Sequence, residues 1–146
     1  MAHHKGEISL PGGGEDPGDG TPLRTALRET HEEIGVAPEH IEVFGQLDDT
    51  ATQVSNYRIR PFAGAISEPG AYAFRQAERE VHELLQVPLD HLLSEQARTW
   101  KVVEQDGQPI PTAAYQYGEH VIWGATARIL GQFLDLVQGQ LTEGAR

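Results

Sequence analysis

A mixed α/β domain is what this sequence predicts, and three observations carry that expectation. A loop dense in glycine and proline at residues 10–20 runs directly into a segment with helix start and stop signals. Two alternating stretches flank Asp106-Gly107, a dipeptide favoured in hairpin turns. An amphipathic run then closes the chain. The 146 residues suit one domain with its own core, taken as 1–146, with residues 1–6 irregular and a frayed tail over 138–146.

Taken in order, residues 7–10 alternate like a short strand. Pro11, Gly12, Gly13, Gly14, Pro17, Gly18 and Gly20 then forbid a regular element and permit unusual backbone angles. Thr21 reads as an N-cap and Pro22 as the first helical residue. Leu23, Ala26, Leu27, Thr30 and Ile34 recur at helical spacing, and Gly35 supplies the stop. Strands are expected over residues 41–47 and 56–66, the second interrupted at Pro61. Residues 80–87 alternate weakly, and 88–93 suggest a short helix. Strands over 100–104 and 110–117 surround the Asp-Gly turn. Ile122, Ile129, Leu130, Phe133 and Val137 mark the final helix.

Composition excludes several functions. The chain has no cysteine, so thiol nucleophiles, zinc-thiolate sites and disulfide scaffolds are out. No apolar run is long enough for a bilayer span or a secretory signal, and a cytoplasmic protein is the default. With 22 acidic against 11 basic residues the formal charge is −11. That charge disfavours nucleic acid and anionic membranes as partners. It also repels small phosphorylated substrates unless a bound cation reverses the local field.

The helix after the loop carries the chemistry. Glu29, Glu32 and Glu33 share one face, away from the apolar stripe. Three like charges at this spacing are mutually destabilising, and they sit toward the end of the helix dipole that disfavours anions. A bare E-x-x-E-E reads first as a solvated face. Here a glycine-rich turn lies immediately ahead, able to bring backbone close to metal and phosphate, and hard divalent cations want such carboxylate oxygens.

Gly12-Gly13 together with residues 28–36, Arg-Glu-Thr-His-Glu-Glu-Ile-Gly-Val, resembles the Nudix box G-x5-E-x7-R-E-U-x-E-E-x-G-U. Thr30 fills the first apolar slot. The upstream glutamate is missing: Gly20 lies eight residues before Arg28, Asp19 is the nearest acid, and the loop is one residue longer. That departure resembles the coenzyme A pyrophosphohydrolases of the superfamily, which read approximately G-x-V-x-F-P-G-G-x-x-D-x-x-D-x5-T-A-L-R-E-x-x-E-E. Gly6, Pro11-Gly12-Gly13, Asp16, Asp19 and residues 25–29 follow that pattern without a gap. Residues 80–89 and 117–127 resemble the subfamily's E-V-x-E-x-x-x-V-P-L and Y-x-I-W-G-x-T-A segments.

The resemblance implies a Nudix-type mixed sheet sandwiched by helices. It also implies Mg2+ or Mn2+ held by Glu29, Glu32, Glu33 and the carbonyl of Gly12. A water activated there would attack one phosphorus of a diphosphate while the cations neutralise the departing phosphate. Glu32 is the alternative acceptor of the water's proton. Arg28, which helical phase turns away from the glutamate face, would pair with a neighbouring carboxylate and orient it. Glu80, or else Glu83, would add a carboxylate from outside the box. Asp16 and Asp19 are expected to contact loop amides rather than metal.

The implied reaction is hydrolysis of coenzyme A or acyl-coenzyme A to phosphopantetheine and adenosine 3′,5′-bisphosphate. The substrate is thus a small nucleotide, and the assembly allows a homodimer. A broader ADP-ribose-type pyrophosphatase and a non-catalytic nucleotide-binding domain are the alternatives. The repulsive glutamate cluster argues against the last. Subfamily members carry a strand and an L-L-T-x-R-S segment ahead of the loop, and Met1 falls about where that segment ends. A chain extended upstream is therefore expected to be more stable and more active, and less prone to self-association through an open edge.

The seven histidines show no H-E-x-x-H spacing and read as surface or loop residues. Trp123, Tyr115 and Tyr117 could stack on an adenine or anchor the last helix; for Trp123 the core reading is favoured.

Overall fold

The computed structural model describes residues 7–52, 57–67 and 83–144, with side chains through residue 140. Two compact units form, one from Leu10–Asp49 and Arg60–Gln86, the other from Met1–Ser9, Thr50–Ile59 and Val87–Arg146.

In the first unit the glycine loop leads into α1 (Pro22–Ile34). Thr21 caps it, its hydroxyl accepting from the Arg24 amide, and Gly35 ends it at φ 77°. That left-handed angle suits glycine, and the Gly35 amide donates to the His31 carbonyl. A 3-10 turn at Pro38–His40 feeds β1 (Ile41–Gln46), which pairs antiparallel with β4 (Phe62–Ile66). Ile41 sits opposite Ile66, and the register slips between Val43 and Gly45. Gly64 is required by close approach: a Cβ there would lie 2.7 Å from the Glu42 carbonyl oxygen. Ile34, Val36 and Leu47 are buried in this unit, so the apolar stripe of α1 ends in a core.

In the second unit β5 (Arg98–Gln105) and β6 (Gln108–Tyr117) form the expected hairpin. Asp106 and Gly107 both have positive φ, 52° and 76°, as a type I′ turn demands. β7 (His120–Ile122) adds to β6, and β2 (Thr50–Ala51) pairs with β3 (Arg58–Ile59). Pro88 precedes the short α2 (Leu89–Leu93), a 3-10 turn follows at Glu95–Ala97, and α3 (Gly124–Gly144) closes the chain. Leu92, Ala97, Ala114, Ile122, Ala127, Ile129 and Leu134 are buried here. Arg128 Nη2 donates to the Ala51 carbonyl at 2.7 Å, tying α3 to β2.

The mixed α/β class holds, and every ladder among the described residues is antiparallel. Several local expectations are corrected. Residues 7–10 form no strand, since alternation without a ladder partner does not hold one. The 56–66 stretch breaks at Pro61, and its two pieces join different sheets. Thr50–Ala51 was not anticipated as a strand. Ile122 ends β7 rather than starting the helix, because Gly124 at φ 70° turns the chain first. The tail expected to fray from Gln138 is helical through Gly144. Of the weakly alternating stretch, residues 80–82 lie outside the described residues and 83–87 adopt no regular element.

Trp123 is half-buried, with Lys101 Nζ 5.6 Å from its ring centroid. His91 is no bare surface residue: its Nε2 lies 2.7 Å from the Gln116 carbonyl and its ring stands edge-on to Tyr117. No helix among the described residues is long and apolar enough to cross a membrane.

Candidate functional site

The loop ahead of α1 folds back on itself through one side chain. The Asp19 amide donates to the Asp16 carbonyl at 3.0 Å, and the Asp16 amide donates to Asp19 Oδ2 at 2.8 Å. Gly20, at φ 81°, then turns the chain into the Thr21 cap. This reciprocal turn places the Asp19 side chain, only 6% exposed, against α1. There Asp19 Oδ2 also accepts from the Thr25 hydroxyl at 2.9 Å.

Arg28 gathers the surrounding acids. Its Nε donates to Asp19 Oδ1 at 2.8 Å and its Nη2 to Asp19 Oδ2 at 3.0 Å. Nη2 also donates to the Gly14 carbonyl at 3.0 Å, and Nη1 reaches Glu29 Oε1 at 3.1 Å and both oxygens of Glu32 at 3.2 Å. Asp16 Oδ2 lies 3.5 Å away. Arg28 therefore does not point away from the glutamates, as phase argument had it. Arg28 and Glu32 are four residues apart, only about 40° around the helix, and a guanidinium fork spans the remaining gap. The pairing of Arg28 with neighbouring carboxylates is as expected.

The electrostatics follow from these bonds. The Arg28 guanidinium, then the Asp16 amide, hold the Asp19 carboxyl far below the usual carboxylate range, although desolvation pushes the other way. Arg28 is raised in turn, chiefly by Asp19. Asp19 meets loop backbone as anticipated, but its main partner is Arg28.

The other two glutamates meet the glycines. Gly12 donates its amide to Glu33 Oε1 at 3.1 Å. A Cβ on Gly13 would lie 2.5 Å from the Glu29 carboxyl carbon, so the bare backbone of Gly13 is what admits that side chain. Loop and helix thus bring Gly12, Gly13, Arg28, Glu29, Glu32 and Glu33 together. Asp19 and Thr25 complete the set. Thr25 was missed; its place one helical turn before Arg28, facing the same aspartate, was the available signal.

Glu29, Glu32 and Glu33 offer carboxylate oxygens, the donor type that a hard divalent cation takes. Gly13 leaves a cradle for Glu29 that a methyl group would fill. Among the described residues no three acidic or histidine side chains stand in a metal-holding arrangement, and Arg28 bridges Glu29 and Glu32. Glu80 lies outside the described residues, and Glu83 is exposed. Tyr115, Tyr117 and Trp123 belong to the other unit.

The NUDIX domain profile matches residues 1–106. An uncharacterized Nudix hydrolase of Photorhabdus laumondii is 33% identical over 138 residues, 94% of this chain and 72% of the relative. The human mitochondrial coenzyme A diphosphatase is 33% identical over 135 residues, 92% of this chain and 57% of the relative. The mouse enzyme of the same name is 33% identical over 94% of this chain and 65% of its own length. The chain thus spans between 57% and 72% of these relatives.

Proposed function

The chain belongs to the Nudix hydrolase family, and on that premise we propose that it hydrolyses the diphosphate bond of coenzyme A or acyl-coenzyme A. Water adds to one phosphorus, the anhydride bond breaks, and phosphopantetheine and adenosine 3′,5′-bisphosphate leave. The observation that carries the reading is Asp19 on Arg28: the aspartate loop that resembles the coenzyme A subfamily is the loop that organises the glutamate helix. The 33% identity to coenzyme A diphosphatases over most of the chain supports it.

In this proposal Glu29, Glu32, Glu33 and the Gly12 carbonyl hold Mg2+ or Mn2+. The cation supplies charge neutralisation at the phosphoryl oxygens and lowers the pKa of a water. Glu32, 55% exposed at its side chain and held by one Arg28 nitrogen, is the carboxylate freest to take that water's proton. Arg28, anchored by Asp19, positions Glu29 and Glu32. Glu80 contributes a further carboxylate. Residues 1–146 act as one functional domain, and the family match already takes in parts of both compact units. The location is cytoplasmic, and the negative net charge favours a free nucleotide over nucleic acid or membrane.

The test is a panel of coenzyme A, acetyl-coenzyme A, ADP-ribose and a diadenosine polyphosphate with Mg2+ or Mn2+, products separated chromatographically. Adenosine 3′,5′-bisphosphate with the highest kcat/KM for the coenzyme A compounds supports the reading. A higher kcat/KM for ADP-ribose or the dinucleotide replaces it with the broader activity.

A further inference from the structure

Among the described residues the β5–β6 hairpin has one edge that is closed and one that is not. Its two-residue turn makes Gln105 and Gln108 a hydrogen-bonded pair, and antiparallel bonds alternate from there. Pro109 and Pro111, opposite Glu104 and Val102, therefore stand where β6 would donate away from β5, and proline has no N–H to give. The same alternation turns the N–H and C=O groups of Glu104, Val102, Trp100 and Arg98 outward from β5. Among the described residues β5 is the end strand of its sheet. Its side chains there are conspicuous for a strand edge: Trp100 is 70% exposed and Val102 62%.

We propose that this edge is where a second copy of the chain docks, β5 pairing antiparallel with its own two-fold mate. Outward groups meet only in registers that set even-numbered residues opposite even-numbered ones. Charge selects among them. With Lys101 on the two-fold axis, Arg98 of each copy faces Glu104 of the other, and Trp100 faces Val102. One two-residue slip would set Trp100 against Trp100 and Arg98 against Val102. The other would set Trp100 against Glu104. Neither Arg98 nor Glu104 is in an ion pair among the described residues, so both are available. Opposite-charge and aromatic–aliphatic cross-strand pairs are each favourable, and symmetry makes two of each. The opposing element is Lys101 against Lys101, and its ammonium is drawn to Trp123 of its own chain. Edge strands with exposed apolar residues pair readily when nothing blocks them.

The experiment measures mass in solution by sedimentation for the full chain and for charge-exchanged variants. The wild type is expected as a dimer of the 16.0 kDa chain. Arg98→Glu and Glu104→Arg should each weaken dimerisation about tenfold or more, and the double exchange should restore it. That restoration also shows that the exchanged chains fold. Lys101→Cys, placed in a chain without cysteine, should oxidise to a covalent dimer. Non-hydrogen-bonded cross-strand Cα atoms lie about 4.5 Å apart, within disulfide reach. A monomeric wild type overturns the proposal, as does a dimer that ignores both single exchanges or a Lys101→Cys chain that fails to cross-link.

Discussion

Asp19 and Arg28, nine residues apart, form a two-pronged ion pair, Nε to Oδ1 at 2.8 Å and Nη2 to Oδ2 at 3.0 Å. Asp19 also accepts from Thr25 and the Asp16 amide, so its oxygens have four protein donors. With one side of its fork committed, Arg28 has Nη1 left for Glu29 and Glu32. The loop aspartate thereby sets the position of two candidate metal ligands that it does not touch.

Asp19→Asn should lower metal affinity or kcat about 10–100-fold, the usual effect of losing a group that orients a ligand. Its stability effect has a definite sign. The folded-state carboxyl titrates below its unfolded value, so its contribution is complete above the unfolded pKa of about 3.9 and fades as pH falls below it. Thermal melts of wild type and variant should differ most near neutrality and converge in acid. A difference that grows on acidification would contradict the pairing.

Gly13→Ala should displace Glu29, because the new methyl carbon would lie 2.5 Å from its carboxyl carbon. The expected outcome is a raised metal requirement and a kcat loss of roughly tenfold or more. Gly14→Ala meets nothing within 4 Å and serves as the control. Equal metal titrations for the two variants would remove Glu29 from the site.

Glu33→Gln keeps an acceptor for the Gly12 amide and removes a charge. The loop should stay docked while kcat falls by roughly a hundredfold or more in saturating Mg2+. Relief of like-charge repulsion should raise the metal-free melting temperature slightly, by an amount worth a few tenths of a kcal/mol. Near-wild-type turnover would sink the assignment of this residue.

Gly35→Ala should cost stability of about 1–2 kcal/mol, since the residue ends α1 at φ 77°. Urea unfolding measures it. Activity per folded molecule should be retained, which separates a capping role from a catalytic one.

What the sequence by itself determined lies where physics is local. Thr21-Pro22 and Gly35 bounded α1, Asp106-Gly107 set the hairpin, and the spacing of Glu29, Glu32 and Glu33 put them on one face. Each rests on contacts a few residues apart, which adjacent side chains and backbone angles decide. The tertiary structure decided the rest. It chose which carboxylate Arg28 takes, because Asp19 reaches α1 only once the loop has folded back. It sent the two halves of the 56–66 stretch to different sheets and made Ile122 a strand end, because a strand exists only where a partner backbone satisfies it. It carried α3 through Gly144, past the end of the apolar pattern that suggested fraying. Periodicity tells a residue's face, but the partner on that face is settled by the competition among all the groups that the fold brings within reach.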